Sequence, residues 1–184
     1  MYKIKNSSQG FTLLELLVVV LIIGILAAIA LPQYKMAVAK SRYSTLMNLA
    51  KSIAQAQERY FMTHGSYTAK FDNLDTDMPQ NYTSKNNYQY CYDWGGCSIS
   101  WQESLACYNS KLNTGFFIYL KNGTKYGIYK KGKTFCTTDS LNKTDFNNKL
   151  CKSITNKTDT TIKETFSICD KNYNGYEYQF SNGY

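Results

Sequence analysis

Apolar residues follow two different patterns along this chain, and the change between them comes at Pro32. From Phe11 to Leu31 almost every position is apolar, broken only by Thr12, Glu15 and Gly24. About 20 such residues in helical form span a bilayer. From Lys35 the apolar positions thin to a stripe. Met36, Ala39, Tyr43, Leu46, Met47, Ala50, Ile53, Ala54, Tyr60 and Phe61 recur mostly three or four apart, and Lys40, Arg42, Lys51 and Arg59 mostly fall elsewhere. That spacing predicts an amphipathic helix with one face laid on a core. Joined, the two patterns predict a single helix from Phe11 to about Met62, roughly 78 Å long. Pro32 is its weak point, since proline removes one backbone hydrogen bond. Gly65, in Thr63-His64-Gly65-Ser66, is the expected terminator.

Beyond the helix the pattern turns to alternation. Residues 63–114 read as a long connector, rich in aromatics (Tyr82, Tyr88, Tyr90, Tyr92, Trp94, Trp101) and therefore packed down. Gly115 to Leu120 reads as a strand with Phe116, Ile118 and Leu120 on the face that covers the helix stripe. Asn122-Gly123 is a type I′ hairpin signal. Lys125–Lys130 would return and Lys133–Cys136 follow, a three-stranded antiparallel meander. A late strand, Tyr176–Phe180, follows an expected turn at Asn174-Gly175. Between them Asp139 to Lys171 is polar and poorly patterned. The fold class expected is α+β: a long N-terminal helix packed on an antiparallel sheet, with a disulfide-bonded C-terminal region.

The cysteines decide the compartment. Cys91, Cys97, Cys107, Cys136, Cys151 and Cys169 all lie beyond the helix, an even number in a membrane-targeted chain. They read as three disulfides formed outside the cytoplasm, with fifteen pairings open. Zinc is disfavoured, because there is no C-x-x-C and a single histidine. Charge does not orient the span: Lys3 and Lys5 stand against Lys35, Lys40 and Arg42 across it, so the cysteines place the carboxyl side outside. Net charge is +8, and removal of Lys3 and Lys5 with a leader leaves 19 basic against 13 acidic residues, +6.

Glu15 is the residue that a mere anchor has no use for. An ionisable group inside a bilayer-spanning helix costs roughly 2.5–3.5 kcal/mol. Cleavage after Gly10 would leave Phe11 as a new amino terminus four residues from Glu15. Pairing that ammonium with the carboxylate of a neighbouring copy, or of the same copy, would drive and register the packing of identical helices.

The stretch Gly10 to Tyr34, GFTLLELLVVVLIIGILAAIALPQY, resembles the amino terminus of a type IV prepilin. The match lies in Gly10, Phe11 at the cut, Thr12-Leu13-x-Glu15, the Val/Leu/Ile run, Gly24, and Pro32 before Gln33-Tyr34. The resemblance implies a leader over 1–10, a membrane and filament-core helix over 11–32, and an extracytoplasmic domain over 33–184 (amphipathic helix 33–62, connector 63–114, sheet and disulfide-bonded region 115–184). It implies a prepilin peptidase cutting between Gly10 and Phe11, N-methylation of Phe11, and loss of helicity between Gly24 and Pro32 in a filament. It further implies an inner-membrane subunit that becomes part of a surface pilus, a homopolymer of like copies served by the assembly machinery. Adhesion, motility, DNA uptake and secretion remain open as end uses. Pseudopilins of type II secretion share this amino terminus and form the first alternative. The second is a secreted soluble binding protein, cut after Ala30 at Ala28-Ile29-Ala30.

No catalytic set, metal site or cofactor is expected. His64 has no nucleophile or orienting acid near it in sequence and reads as a helix-end residue. Asp72, Asp75 and Asp77 lack EF-hand spacing and read as turn and capping residues. Lys121, Lys125, Lys130, Lys131 and Lys133, interleaved with tyrosines, are a candidate contact for an anionic surface, nucleic acid included. The alternative reading is a solvated hairpin whose lysines guard a sheet edge.

Overall fold

The computed structural model describes residues 10–100, 104–120, 131–157, 160 and 163–181. The chain divides into two compact units, Met1–Val38 and Ala39–Tyr184.

Helix α1 runs from Leu13 to His64, 52 residues, with Pro32 inside it. In the first unit its side chains are almost all exposed. In the second, Ala39, Tyr43, Leu46, Ala50, Ile53 and Ala54 are buried, as the stripe predicts. Ala56 and Gln57 join them, because Gln57 makes a backbone-like pair: its Nε2 donates to the Thr68 carbonyl (2.7 Å) and its Oε1 accepts from the Thr68 N–H (3.1 Å). The helix stops where expected. Gly65 takes a left-handed φ of 71° and its N–H reaches the Phe61 carbonyl at 2.8 Å.

A short 3-10 turn over Phe71–Asn73 follows, and then the sheet. Its strands are β1 (Ser84–Asn86), β2 (Gln89–Tyr92), β3 (Gly95–Ser100), β4 (Ser104–Asn109), β5 (Thr114–Tyr119), β6 (Thr134–Thr138), β7 (Lys163–Ile168) and β8 (Lys171–Gln179), with helix α2 (Phe146–Thr155) between β6 and β7. All pairings among the described residues are antiparallel, in the order β1-β2-β3-β4-β5-β6-β8-β7.

Alternation sorts the sheet into two buried faces. Phe116 and Ile118 lie opposite Cys107 and Leu105 of β4 and opposite Cys136 and Thr134 of β6. This face meets α1: the Tyr43 ring sits edge-on to Phe116 at 6.4 Å, and its hydroxyl donates to the Gly115 carbonyl at 3.2 Å. The opposite face carries Ala106, Tyr108, Phe117 and Phe135, packed with Phe166, Ile168 and Tyr173 of the β7–β8 hairpin. The hairpin therefore folds back over the sheet. The half of β8 after Tyr176 pairs with β6, and the half before it pairs with β7.

The disulfides are Cys91–Cys169, Cys97–Cys107 and Cys136–Cys151. Cys97 and Cys107 are direct partners across β3 and β4. Cys136–Cys151 fixes α2 to β6, beside a polar cluster in which Asn148 Oδ1 accepts from Tyr178 (2.8 Å) and Thr138 (3.2 Å). Cys91–Cys169 pins the hairpin tip to β2.

Three expectations are corrected. The connector over 63–114 holds four strands and the start of a fifth. Short strands carrying Gly, Ser and Cys gave little alternation to read, and the Cys97–Cys107 bridge supplies what side-chain pattern does not. The meander also fails: β5 and β6 are direct neighbours, Phe117 opposite Phe135. The Asn122-Gly123 turn and the Lys125–Lys130 strand lie outside the described residues. Finally, Asn174-Gly175 is inside β8, and the turn is Cys169-Asp170, both at positive φ (55° and 61°). Glycine at 175 serves close approach, since a Cβ there would collide with the Thr138 carbonyl. The late strand begins correspondingly earlier, at Lys171.

Candidate functional site

Backbone amides at the start of any helix lack intrahelical acceptors, and Ser or Thr followed three residues later by Glu satisfies them reciprocally. Thr12 and Glu15 do this at the head of α1. Thr12 Oγ1 accepts from the Glu15 N–H at 3.2 Å, and Glu15 Oε2 accepts from the Thr12 N–H at 2.9 Å and the Thr12 hydroxyl at 2.7 Å. Glu15 Oε1 takes no part in these bonds. Sequence pointed Glu15 to an ammonium partner and not to this capping bond with Thr12, although the T-x-x-E spacing signals it.

Around this cap the surface is apolar on every side. Phe11 is 77 % exposed, Leu13 89 % and Leu31 still 56 %, and nothing lies within 4 Å of where a Cβ on Gly24 would sit. This half of α1 is long and apolar enough to cross a membrane, by length and composition. A polar cap with one carboxylate, at the tip of a bare apolar helix, can do two things. It can start a helix cleanly next to a cut, and it can offer a negative charge to a cation delivered by another molecule.

The other predicted positions do not gather here. Lys121, Lys125 and Lys130 lie outside the described residues. Lys131, itself exposed, reaches Glu58 (3.1 Å) with its ammonium over the rings of Phe61 and Tyr67, while the Tyr67 hydroxyl donates to Glu58 at 2.9 Å. Those contacts with Tyr67 and Glu58 hold the Lys131 ammonium above its ordinary pKa. Lys131 is thus an exposed side chain that also braces the helix end. Lys133 is half-buried. His64 stacks on Tyr60 (4.0 Å) and bonds Thr63 Oγ1 at 2.6 Å. Asp75 is held by Arg59 at 2.7 and 2.8 Å, which lowers its pKa, and Asp72 faces Lys85 at 3.7 Å. Among the described residues no group of three or more His, Cys, Asp or Glu is arranged to hold a metal ion.

A family match falls on the same end of the chain. Residues 5–31 match the prokaryotic N-terminal methylation motif. At that end the chain is similar to type IV pilins and fimbrial proteins. It is 47 % identical over 66 residues to the fimbrial protein EcpC of Eikenella corrodens, covering 36 % of this chain and 43 % of that protein. It is 36 % identical over 80 residues to the type IV major pilin protein PilE of Neisseria gonorrhoeae, covering 44 % and 47 %. The type IV major fimbrial protein FimA of Dichelobacter nodosus is 57 % identical over 44 residues, 24 % of this chain and 28 % of that protein. The chain spans less than half the length of the curated relatives it matches. No solved structure matches it at a significant level. The methylation-motif match thus rests on residues 5–31, while the disulfide-bonded sheet is described by its own geometry.

Proposed function

We propose that this chain is a structural subunit of a type IV pilus-like filament. Residues 1–10 are the leader, 11–32 the membrane and later filament-core segment, and 33–184 the extracytoplasmic domain. A prepilin peptidase cuts between Gly10 and Phe11, and the Phe11 amine is methylated and keeps its charge. The subunit waits in the inner membrane, then enters a filament on the cell surface, its helix against those of like copies. Gly24 and Pro32 mark the stretch that can lose helicity on assembly.

The observation that carries this reading is Glu15, a carboxylate held in a capping box at the tip of a helix whose apolar surface the described residues leave exposed. An apolar exterior of that extent needs lipid or other helices. Within such surroundings a lone carboxylate needs a cation, and the Phe11 ammonium of an adjacent copy supplies one. The Thr12 cap holds the helix start and leaves Glu15 Oε1 for that contact.

Amino-terminal sequencing with intact-mass measurement of the mature chain tests the proposal. A start at methylated Phe11 is expected, and a start at Leu31 overturns it in favour of a secreted soluble protein. A pseudopilin of type II secretion would give the same mature terminus. Deletion that abolishes exoprotein secretion and leaves surface filaments intact would select that reading instead.

A further inference from the structure

Numbered in chain order, the six cysteines pair first with sixth, second with third, and fourth with fifth. The outer bridge, Cys91–Cys169, encloses both others and closes a separation of 78 residues. The other two close 10 and 15. Cys91 is therefore the first cysteine to leave the membrane on the proposed export route and the last to meet its partner.

The intervening sulfurs compete for it. In a flexible chain the probability of end-to-end contact falls as about the 3/2 power of loop length. Cys107 is 16 residues from Cys91, so contact with it is about tenfold more frequent than contact with Cys169. The folded sheet forbids that bond. Cys91 lies opposite Gly96 in the β2–β3 ladder, whereas Cys97 and Cys107 face each other on the other side of the sheet. A Cβ on Gly96 would run into Cys169 Sγ, so the face Cys91 points to is the one the hairpin tip covers. Local encounter and native geometry thus demand different partners for one thiol.

We infer that native oxidation of this domain passes through a thiol–disulfide isomerase, an enzyme presenting a reactive thiolate. The thiolate attacks Cys91 Sγ of a premature Cys91–Cys107 bond, forming a mixed disulfide and releasing the Cys107 thiolate. The Cys169 thiolate then attacks Cys91 Sγ, expelling the isomerase thiolate, with no net redox change. Cys97 and Cys107 finally give two electrons and two protons to the oxidant that formed the first bond. The order of emergence rests on the filament reading; the chemistry and its test do not.

The test is refolding of the reduced full chain in detergent micelles with oxidised glutathione alone or with added protein disulfide isomerase, the bridges being mapped on non-reduced peptides. The expected result is a minority of Cys91–Cys169 with oxidant alone and a rise of several-fold, up to about tenfold, with isomerase. The double variant Cys91→Ser/Cys169→Ser should reach Cys97–Cys107 and Cys136–Cys151 equally well without isomerase. Equal native yield of the unmodified chain in both conditions overturns the inference. Alkylation-quenched time points of the unmodified chain give an answer independent of whether that variant folds. Early Cys91 bonds to Cys97 or Cys107 support the inference, and a Cys91 thiol that stays free until Cys169 pairs refutes it. A mature terminus at Leu31 would sink the filament proposal and leave these outcomes untouched.

Discussion

The two halves of α1 are one continuous helix with opposite surfaces. Between Ala39 and Gln57 the apolar stripe is answered by the chain's own sheet, and Ala50, Ile53 and Ala54 are wholly buried. Between Leu13 and Leu31 no apolar side chain is buried and the apolar surface runs all the way round. A stripe specifies an intramolecular partner, because only one direction satisfies it. An unbroken apolar cylinder specifies surroundings, and Glu15 then decides which surroundings suffice. Folding of the domain and the proposed assembly therefore fall on separate stretches of the same element, and substitutions should separate them.

The largest effect falls on assembly. Glu15→Ala removes the carboxylate and keeps the Thr12 hydroxyl as acceptor for the residue-15 N–H, so the helix start survives. Sheared filament yield should drop by about tenfold or more, in keeping with an unmatched charge inside an apolar packing. The thermal midpoint of the disulfide-bonded domain should not move. Normal filament yield would break the division at its first half.

Phe116→Ala attacks the other half. Truncating a buried aromatic costs about 3–5 kcal/mol, read as a lower denaturant midpoint for the domain, with membrane insertion of Phe11–Leu31 unchanged. A smaller loss, about 3 kcal/mol for a bridge closing 15 residues, is expected of Cys136→Ser/Cys151→Ser. Hydrogen exchange should localise that loosening to α2 and β6.

The smallest effect is one of pH. Burial pushes the Tyr92 hydroxyl up to about 12 and raises those of Tyr43 and Tyr108 as well. An unfolded tyrosine ionises near about pH 10. Above that value the unfolded chain sheds protons that the folded chain retains, so stability present below pH 10 is lost as pH rises. Alkaline unfolding monitored by circular dichroism should begin there, and Tyr43→Phe should blunt it. Insertion of the Phe11–Leu31 segment, which has no tyrosine, should be indifferent to the same titration.

Legibility in the sequence followed the same divide. The helix, its stop at Gly65, its buried stripe and the inward face of Phe116, Ile118 and Leu120 were readable, because each rests on a period of 3.6 or 2. Where polar atoms do the packing, the period vanishes. Helix α2 buries Asn147 and Asn148 beside Leu150 and Cys151, so the stretch from Asp139 looked unpatterned. Asn174-Gly175 carries the letters of a turn, yet Gly175 is there because Thr138 leaves no space for a side chain. Lys131 is the exposed charge its sequence suggests, but its partner Glu58 lies 73 residues away, beyond any local pattern. At the amino terminus Glu15 stands out by its apolar surroundings, whereas the capping role of Thr12 shows only in the T-x-x-E spacing.

The outer bridge also sets how the domain carries mechanical load. Tension entering through α1 and leaving at the far end of the chain passes from Cys91 to Cys169 through two sulfurs, which bypass 78 residues of backbone. At about 3.4 Å per extended residue, roughly 265 Å of contour is withheld from stretching. The sheet from β3 to β7 thus sits inside a covalent shunt, and a pulled subunit can lengthen only by the segments outside it.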